Sequence, residues 1–156
     1  MGIRMILPER MDQVTYYGLG PMESYTDKHR AACHGIFEGT ADSLFEDYIK
    51  PQENGSHWDV SYVTLTDGKR ALSAASAVPF SFNASRYTQE ELTEKAHNFE
   101  LNPSGHTILC IDYRQDGIGS NSCGPEPEEQ YQFRVEQFTF SFGLRFTPQR
   151  LPEKSS

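Results

Sequence analysis

The sequence has few cysteines, and they form no recognised pattern. There are three among 156 residues, Cys33, Cys110 and Cys123, an odd number without C-x-x-C spacing. A disulfide framework needs paired cysteines and a structural zinc site needs closely spaced ones, so we expect neither. Cys110 lies in the apolar run Thr107–Ile111 and is expected to be a buried small hydrophobe. Reduced thiols are typical of the cytoplasm, where we expect the protein to reside.

The sequence also lacks a surplus of basic residues and any long apolar run. Lys and Arg total 14 against 22 Asp and Glu, which gives a formal net charge of -8. Nucleic acids and anionic membranes both require a basic surface, so we expect neither as a partner. No apolar run approaches the roughly 20 residues of a membrane-spanning helix. The first residues do not resemble a secretory signal, because their apolar part is short and Pro8 interrupts it.

Recognised catalytic and metal-binding motifs are missing as well. Gly117-Ile118-Gly119 lacks the third glycine and the following helix of a phosphate-binding loop. Asp112 and Asp116 could form a carboxylate pair, but solvated charges are favoured, and nothing local lowers the thiol pKa of Cys123 toward a Cys–His nucleophile. The residues by themselves therefore do not indicate a particular reaction. The five histidines form no H-E-x-x-H or similar ligand spacing: His29, His34, His57, His97 and His106.

What the sequence does contain is a series of short segments in which apolar and polar residues alternate. Alternation of this kind predicts β-strands. Asp67-Gly68, between two of the segments, predicts a hairpin turn. The aromatic alternation from 130 to 146 changes parity near Glu136-Gln137, which predicts two strands with an apolar face that covers a core. The remaining predicted strands lie at 13–17 (ending in a turn at Gly18–Pro21), 34–37, 59–66, 69–77, 80–84 and 106–113.

One helix is expected near residues 89–97. Thr88 to Glu91 has the form of a capping box, and Leu92, Ala96 and Phe99 recur on one helical face. Many short strands, one helix and frequent Gly and Pro predict an all-β fold, an antiparallel β-sandwich. We expect residues 148–156 to be a flexible tail, because they are polar and contain proline.

Two segments have the composition of shaped loops. The longer is Asp116–Pro125, with three glycines, and the shorter is Pro51–Gly55, which the single tryptophan, Trp58, closely follows. Glycine permits backbone conformations that are closed to other residues, and binding residues are concentrated in such loops. An ordinary strand connection and an ordinary Asn-Gly turn would have the same composition.

Six stretches of the sequence carry a resemblance to a known family: Tyr17–Tyr25 with Asp27, Pro51–Gly55, Phe82–Tyr87 with Glu91-Leu92, His97, Ile111–Tyr113 and Gly117–Pro125. Taken together, they resemble the C-terminal β domain (small-chain or domain 5 type) of the large bacterial β-galactosidases of glycoside hydrolase family 2. They occur in the order and at about the spacing of that family, and they place the domain at residues 3–147.

The resemblance implies a large antiparallel super-sandwich of the galactose-mutarotase type, of which this chain is the later part. It also implies that the catalytic glutamates, an acid/base and a nucleophile, belong to a separate barrel domain. We therefore expect no catalytic residue and no cofactor in this chain, which should be inactive alone. Mg²⁺ and Na⁺ are implied for the complete enzyme, with the metal sites largely in the missing part. The implied partners are the remaining domains, above all the barrel, and a galactoside substrate.

The resemblance further implies that the glycine-rich loop reaches the sugar. Some members have a tryptophan beside the sugar at the position of Cys123, which follows Ser122. A cysteine lacks the stacking face of an indole but can pack against an apolar edge. Asn121, Ser122 and Gly124 are then expected as neighbours that bind substrate with Cys123. As secondary candidates we take Trp58, Glu53, Asn54 and His97.

Three functions remain open at this point. The first is a non-catalytic part of a β-galactosidase, which hydrolyses terminal non-reducing β-D-galactose residues with retention. The second is a stand-alone carbohydrate-binding domain with Trp58 as its aromatic platform. The third is a mutarotase-like sugar epimerase that uses His97 or His57 with Glu53, for which similarity of fold gives weak support. If the sandwich is partial, exposed strand surface should also cause self-association.

Overall fold

The described part of the chain is built on an antiparallel β-sheet. The computed structural model describes residues 1–119, 128–134 and 137–148. One α-helix, α1 (Gln89–Glu94), and two short 3-10 helices, Asn98–Glu100 and Glu129–Tyr131, lie between the strands. The strands are β1 (Gly2–Pro8), β2 (Gln13–Gly20), β3 (Cys33–Thr40), β4 (Ser56–Thr66), β5 (Arg70–Ser85), β6 (His106–Asp112) and β7 (Gly143–Pro148).

All seven strands belong to one open sheet. Its order is β1-β6-β5-β4-β2-β3, and β7 pairs with β5 as well. Strand β5 has two partners along one edge, since Ser81–Ser85 pairs with β6 and Arg70–Ala75 pairs with β7. Every pairing is antiparallel. The predicted all-β class is confirmed, and the open sheet is consistent with a portion of a sandwich.

The core consists of apolar side chains from the central strands. Burial of each large side chain contributes about 1.5–3 kcal/mol. Cys110 on β6 is 8% exposed, which confirms it as a buried residue. The core cluster comprises Val14, Tyr16, Val60, Val63, Leu65, Ala74, Phe80, Phe82, Ala84, Leu109 and Ile111.

The β4–β5 hairpin forms at the predicted turn. The Asp67 carboxylate accepts hydrogen bonds from the backbone N–H groups of Lys69 and Arg70, and Gly68 has a φ of 79°. The two segments expected at 69–77 and 80–84 are one continuous strand, β5. Pro79 does not end this strand, because residues 76–79 lie in an irregular stretch where the register with β4 shifts and no ladder donor is required.

Several boundaries differ from the sequence prediction. Strand β1 was not predicted, and β2 continues through the glycines to Gly20, so the turn expected at Gly18 is wrong. Glycine is needed at position 18 of β2, because a Cβ there would clash with Val60 of the neighbouring strand at 2.5 Å. The Gly20–Pro21 peptide is cis. The N-cap half of the predicted capping box is confirmed, since the Glu91 N–H donates to Thr88 Oγ1 over 3.2 Å. The Glu91 carboxylate accepts from the Asn102 N–H instead, and the helix ends at Glu94.

The prediction of two strands within 130–146 is confirmed only at its end, where β7 begins, because the described residues from 130 to 142 form no strand. The segment enters a 3-10 helix at 129–131, and regular pairing begins at Gly143. The phenylalanines before β7 pack around Tyr113 instead, with ring centroids 6.1 Å away for Phe133, 4.9 Å for Phe138 and 5.7 Å for Phe140. Strand β7 does not cover the core, because Phe146 is 59% exposed. The expected flexible tail falls almost wholly on residues 149–156, outside the described part.

Candidate functional site

One carboxylate holds the start of the glycine-rich loop. Asp27 Oδ1 accepts the Ile118 N–H over 3.0 Å, and Oδ2 accepts the Gly119 N–H over 3.1 Å. A Cβ on Gly117 would lie 2.3 Å from the same carboxyl group, so glycine is required for this approach. The base of the loop is therefore a turn built on Asp27.

A buried carboxylate, Glu23, holds the shorter of the two shaped loops. Glu23 is 3% exposed. Its Oε1 accepts from Lys28 Nζ at 2.5 Å and from the Tyr48 hydroxyl, while Oε2 accepts the Gly55 N–H at 2.7 Å. Because a buried carboxylate needs several donors, this network fixes the Pro51–Gly55 turn against the segment that carries Asp27.

Asn54 has a structural position within that turn. Its side chain accepts the Glu46 N–H at 3.1 Å and donates to the Gln52 carbonyl at 2.9 Å. The residue is 3% exposed. The structure therefore places this secondary candidate among backbone groups, where it stabilises the turn. Gly55 follows with a φ of 66°, in the left-handed region that favours glycine.

Glu53, by contrast, projects into a cleft beside the base of the loop. The cleft has a volume of about 320 Å³, and Tyr25, Gln115 and Ile118 also line it. The protein surroundings of Glu53 raise its pKa to about 7, first through desolvation and then through the negative charges of Asp112 and Glu23. Because the side chain is exposed, solvent screening moderates this shift, and its upward direction is the result used below. Glu53 is thus a carboxyl group with a raised pKa next to the loop.

The two histidines considered for acid–base chemistry lie elsewhere. His57 is 1% exposed, its Nδ1 lies 3.0 Å from the Tyr16 hydroxyl, and burial lowers its pKa to about 4. His97 lies just beyond α1, 3.6 Å from Glu100 and stacked on Phe99. Neither histidine lines the clefts that contain Glu53. The structure does not bring together the His–Glu pair of an epimerase.

Trp58 is half-buried beside the loop base. Its ring lies 4.7 Å from that of His29, and its backbone N–H donates to Ser24 Oγ at 2.8 Å. Periodicity did not reveal Glu23 or Asp27 as organising residues, because both lie in a polar, irregular segment. The resemblance, whose motif stretches include both, is the one sequence signal that could have identified them.

The loop residues predicted to touch sugar lie outside the described residues. Asn121, Ser122, Cys123 and Gly124 fall within 120–127, so their role stays a prediction. Among residues 1–119, 128–134 and 137–148, no three His, Cys, Asp or Glu side chains form a group that could hold a metal ion. The expectation of Mg²⁺ and Na⁺ in the complete enzyme therefore also stays a prediction. In the same residues, no helix has the length and apolar content needed to cross a membrane.

Comparison with known proteins gives one consistent result. The chain is 48% identical to a β-galactosidase of Actinobacillus pleuropneumoniae over 145 residues, which is 93% of this chain and 14% of that protein. It is 43% identical to one of Staphylococcus xylosus, again over 93% of this chain and 15% of that protein. It is 31% identical to one of Kluyveromyces lactis, over 94% of this chain and 14% of that protein. The chain thus spans about one-seventh of the length of these relatives. Residues 1–144 match the family model described as the β-galactosidase small chain, and the chain belongs to that family.

Proposed function

We propose that this chain is the part of a β-galactosidase that supports and completes the sugar site, while the complete enzyme hydrolyses terminal non-reducing β-D-galactose residues. Family membership over residues 1–144 carries the proposal. The Asp27-anchored loop base adds support, because a loop that shapes a binding site must be held rigidly at its base.

The proposed division of labour follows from the chemistry of retaining glycosidases. Two carboxyl groups about 5–5.5 Å apart act as acid/base and as nucleophile. We place both on the barrel domain, together with any Mg²⁺ or Na⁺ that the complete enzyme uses. In this chain, the role proposed for Cys123 and its neighbours Asn121, Ser122 and Gly124 is to contact the sugar edge and exclude water. The chain alone should then show no turnover.

A larger β-galactosidase implies other domains as partners of this chain. We propose the barrel domain as the neighbour of the glycine-rich loop, a galactoside as the ligand they share, and the cytoplasm as the compartment. Glu53 is a further candidate at this boundary, because it lies in a cleft that the start of the loop also lines and its surroundings raise its pKa.

The test is a chimera with a relative. The 145-residue matching segment of the A. pleuropneumoniae β-galactosidase is replaced by this chain, to which it is 48% identical. We expect the chimera to hydrolyse o-nitrophenyl β-galactoside and the same enzyme without the segment to be inactive. An inactive but folded and correctly assembled chimera would contradict the proposal.

A loop variant in the chimera separates a substrate contact from scaffolding. Cys123→Ala should raise KM, with a smaller change in kcat, because the side chain is proposed to contact the sugar in ground state and transition state alike. Cys33→Ala is the matched control, since Cys33 is exposed on β3. Equal kinetics for both variants would remove Cys123 from the sugar site and leave only the scaffold role.

A further inference from the structure

A second concave site lies beside the glycine-rich loop, and we call it the Trp58 pocket. Its volume is about 480 Å³, within the range of about 300–1,000 Å³ that is typical of small-molecule sites. Its lining includes residues from both sides of the loop, Tyr113 and Arg114 before it and Tyr131 after it. The other residues used below are His29, Trp58 and Asp59.

Irregular pairing of β4 with β5 creates one wall of this pocket. Between the pairs His57↔Phe82 and Val60↔Phe80, strand β4 has two residues, Trp58 and Asp59, opposite a single residue of β5. This bulge turns both side chains out of the regular ladder. Asp59 has a φ of 57°, a left-handed conformation that few residues other than glycine adopt. Backbone strain of this kind is concentrated at functional sites.

The polar groups around the tryptophan complement hydroxyl groups. His29 Nδ1 lies 3.0 Å from the Tyr25 carbonyl, which can only accept, so Nδ1 carries the proton and Nε2 of the neutral ring is an acceptor. Asp59 Oδ2 accepts from His34 Nε2 at 2.9 Å, which orients this carboxylate at the pocket wall. Arg114 adds donors, with its guanidinium carbon 5.7 Å from the centroid of the Tyr113 ring.

We propose that the Trp58 pocket binds a pyranose sugar. A pyranose has an apolar face of C–H groups, which can pack on an aromatic ring, and an edge of hydroxyls that require both donors and acceptors. The pocket offers aromatic rings with an acceptor histidine, a carboxylate and a guanidinium at their rim. That the sugar is galactose rests on the proposed function.

The single tryptophan makes the test direct. With excitation at 295 nm, the fluorescence of the intact 156-residue chain reports on Trp58 alone. Galactose should give a saturable change in the millimolar range, whereas galactitol, the open-chain polyol with no ring face, should give at most a linear drift. If glucose gives a saturable change with the same midpoint as galactose, the result would support a pyranose site and overturn the choice of galactose. Absence of a saturable change with either sugar would overturn the site, while the chimera's activity tests the proposed function independently.

Variants measured by calorimetry locate the sugar. Asp59→Asn keeps the shape of the side chain, and asparagine tolerates the left-handed backbone. It should weaken galactose binding about tenfold, the effect of one lost hydrogen bond to a charged group. Phe99→Ala is the control, because Phe99 is an exposed aromatic outside the pocket and is 81% exposed. Loss of binding in Phe99→Ala with full binding in Asp59→Asn would place the sugar elsewhere and refute the proposal.

Discussion

At the scale of single residues, the base of the glycine-rich loop depends on the close approach of backbone to carboxylate. Asp27 holds two consecutive N–H groups, and Gly117 lies against the same carboxyl group. The Asp27 side chain is short and bound on both oxygens. It therefore cannot move aside for a larger residue at 117 without breaking these hydrogen bonds.

Replacing Gly117 tests this geometry. In Gly117→Ala the new Cβ would lie 2.3 Å from Asp27, whereas in Gly119→Ala the nearest Asp27 atom is 3.2 Å away. We expect Gly117→Ala to lower the free energy of unfolding by about 1–3 kcal/mol, as overpacking typically does. Gly119→Ala should lower the free energy of unfolding by less than half as much, and urea denaturation of both variants measures the difference. Amide exchange of Ile118 should also become faster in Gly117→Ala, and equal protection in both variants would refute the role of Asp27.

The carboxyl group of Glu53 predicts a pH dependence of stability. Its pKa is raised from 4.5 to about 7 by desolvation and then by Asp112 and Glu23, with the N-terminal ammonium opposing. Between these values the folded state holds a proton that the unfolded state has released, so this group's contribution to stability falls as pH rises. The lowered pKa of His57 acts in the opposite direction, so the contribution of His57 to stability rises with pH between about 4 and 6.5.

Glu53→Gln should therefore change the slope of the pH profile. The contribution of Glu53 disappears, and the stability of the variant should rise more steeply from pH 4.5 to 6.5 than that of the wild type. Solvent at Glu53 moderates the size of the effect, so the sign is the prediction. Urea denaturation at half-unit pH steps measures it, with Gln52→Asn as a control that alters the cleft without removing a titratable group. Superimposable profiles of Glu53→Gln and the wild type would contradict it.

Sequence reasoning at this scale succeeded where one residue determines its own environment. Asp67 and Gly68 form a turn through contacts with their immediate neighbours. Thr88 caps α1 by accepting from Glu91, three residues further along the chain. Glu23 and Asp27 could not be recognised in this way, because their partners Gly55 and Ile118 lie 32 and 91 residues along the chain. Contacts at such separations are set by the sheet and leave no periodic pattern.

At the scale of elements, Arg86 ties the end of β5 to its surroundings. Its guanidinium donates to Asp12 at 2.7 Å, to Thr107 at 3.1 Å, to the Glu9 carbonyl and to Asp42. The side chain is 13% exposed. One planar group thus joins β6 to the connections that follow β1 and β3. Hydrogen bonds between neighbouring strands do not link these three parts of the chain to one another.

Lysine should not replace this arginine. Arg86→Lys retains the charge but has one nitrogen where the guanidinium presents several donors in a fixed plane. We expect a loss of about 1–3 kcal/mol in the free energy of unfolding, because at least one partly buried acceptor loses its donor. Arg10→Lys is the matched control, since Arg10 is 63% exposed and its pair with Asp67 should contribute less than about 1 kcal/mol. Equal midpoints for the two variants in urea would show that Arg86 is replaceable.

The aromatic segment before β7 shows why alternation can mislead. Phe138, Phe140 and Phe142 repeat every two residues, as in a half-buried strand. In the structure, Phe138 and Phe140 meet Tyr113 beyond the end of β6, and Phe140 and Phe142 pack against the core from outside the ladder. The alternation therefore reflects side chains that pack on an apolar surface. A strand in a sheet also requires a free edge with which its backbone can form hydrogen bonds.

At the scale of the whole molecule, the described sheet has open edges with exposed apolar residues. Strand β1 pairs with β6 alone among the described strands, and β3 with β2 alone. Ile3 and Ile6 on β1 are 49% and 65% exposed, and Ile36 on β3 is 66% exposed. An unpaired strand edge with apolar side chains favours association with another chain. In a β-galactosidase, other domains would be the natural cover, so we expect the isolated chain to associate with itself.

Sedimentation velocity over a concentration series tests this expectation. The wild-type chain should show a sedimentation coefficient that rises with concentration. Ile6→Lys should shift the series toward monomer, because charge on an edge strand opposes pairing, and it should change stability by less than about 0.5 kcal/mol at an exposed position. Phe99→Lys is the control, since Phe99 is 81% exposed and lies in a 3-10 helix, outside the strands of the sheet. If Phe99→Lys disperses the chain and Ile6→Lys does not, association runs through the region around α1. A monomer at every concentration would instead mean that the apolar residues on the open edges are too few to hold a partner.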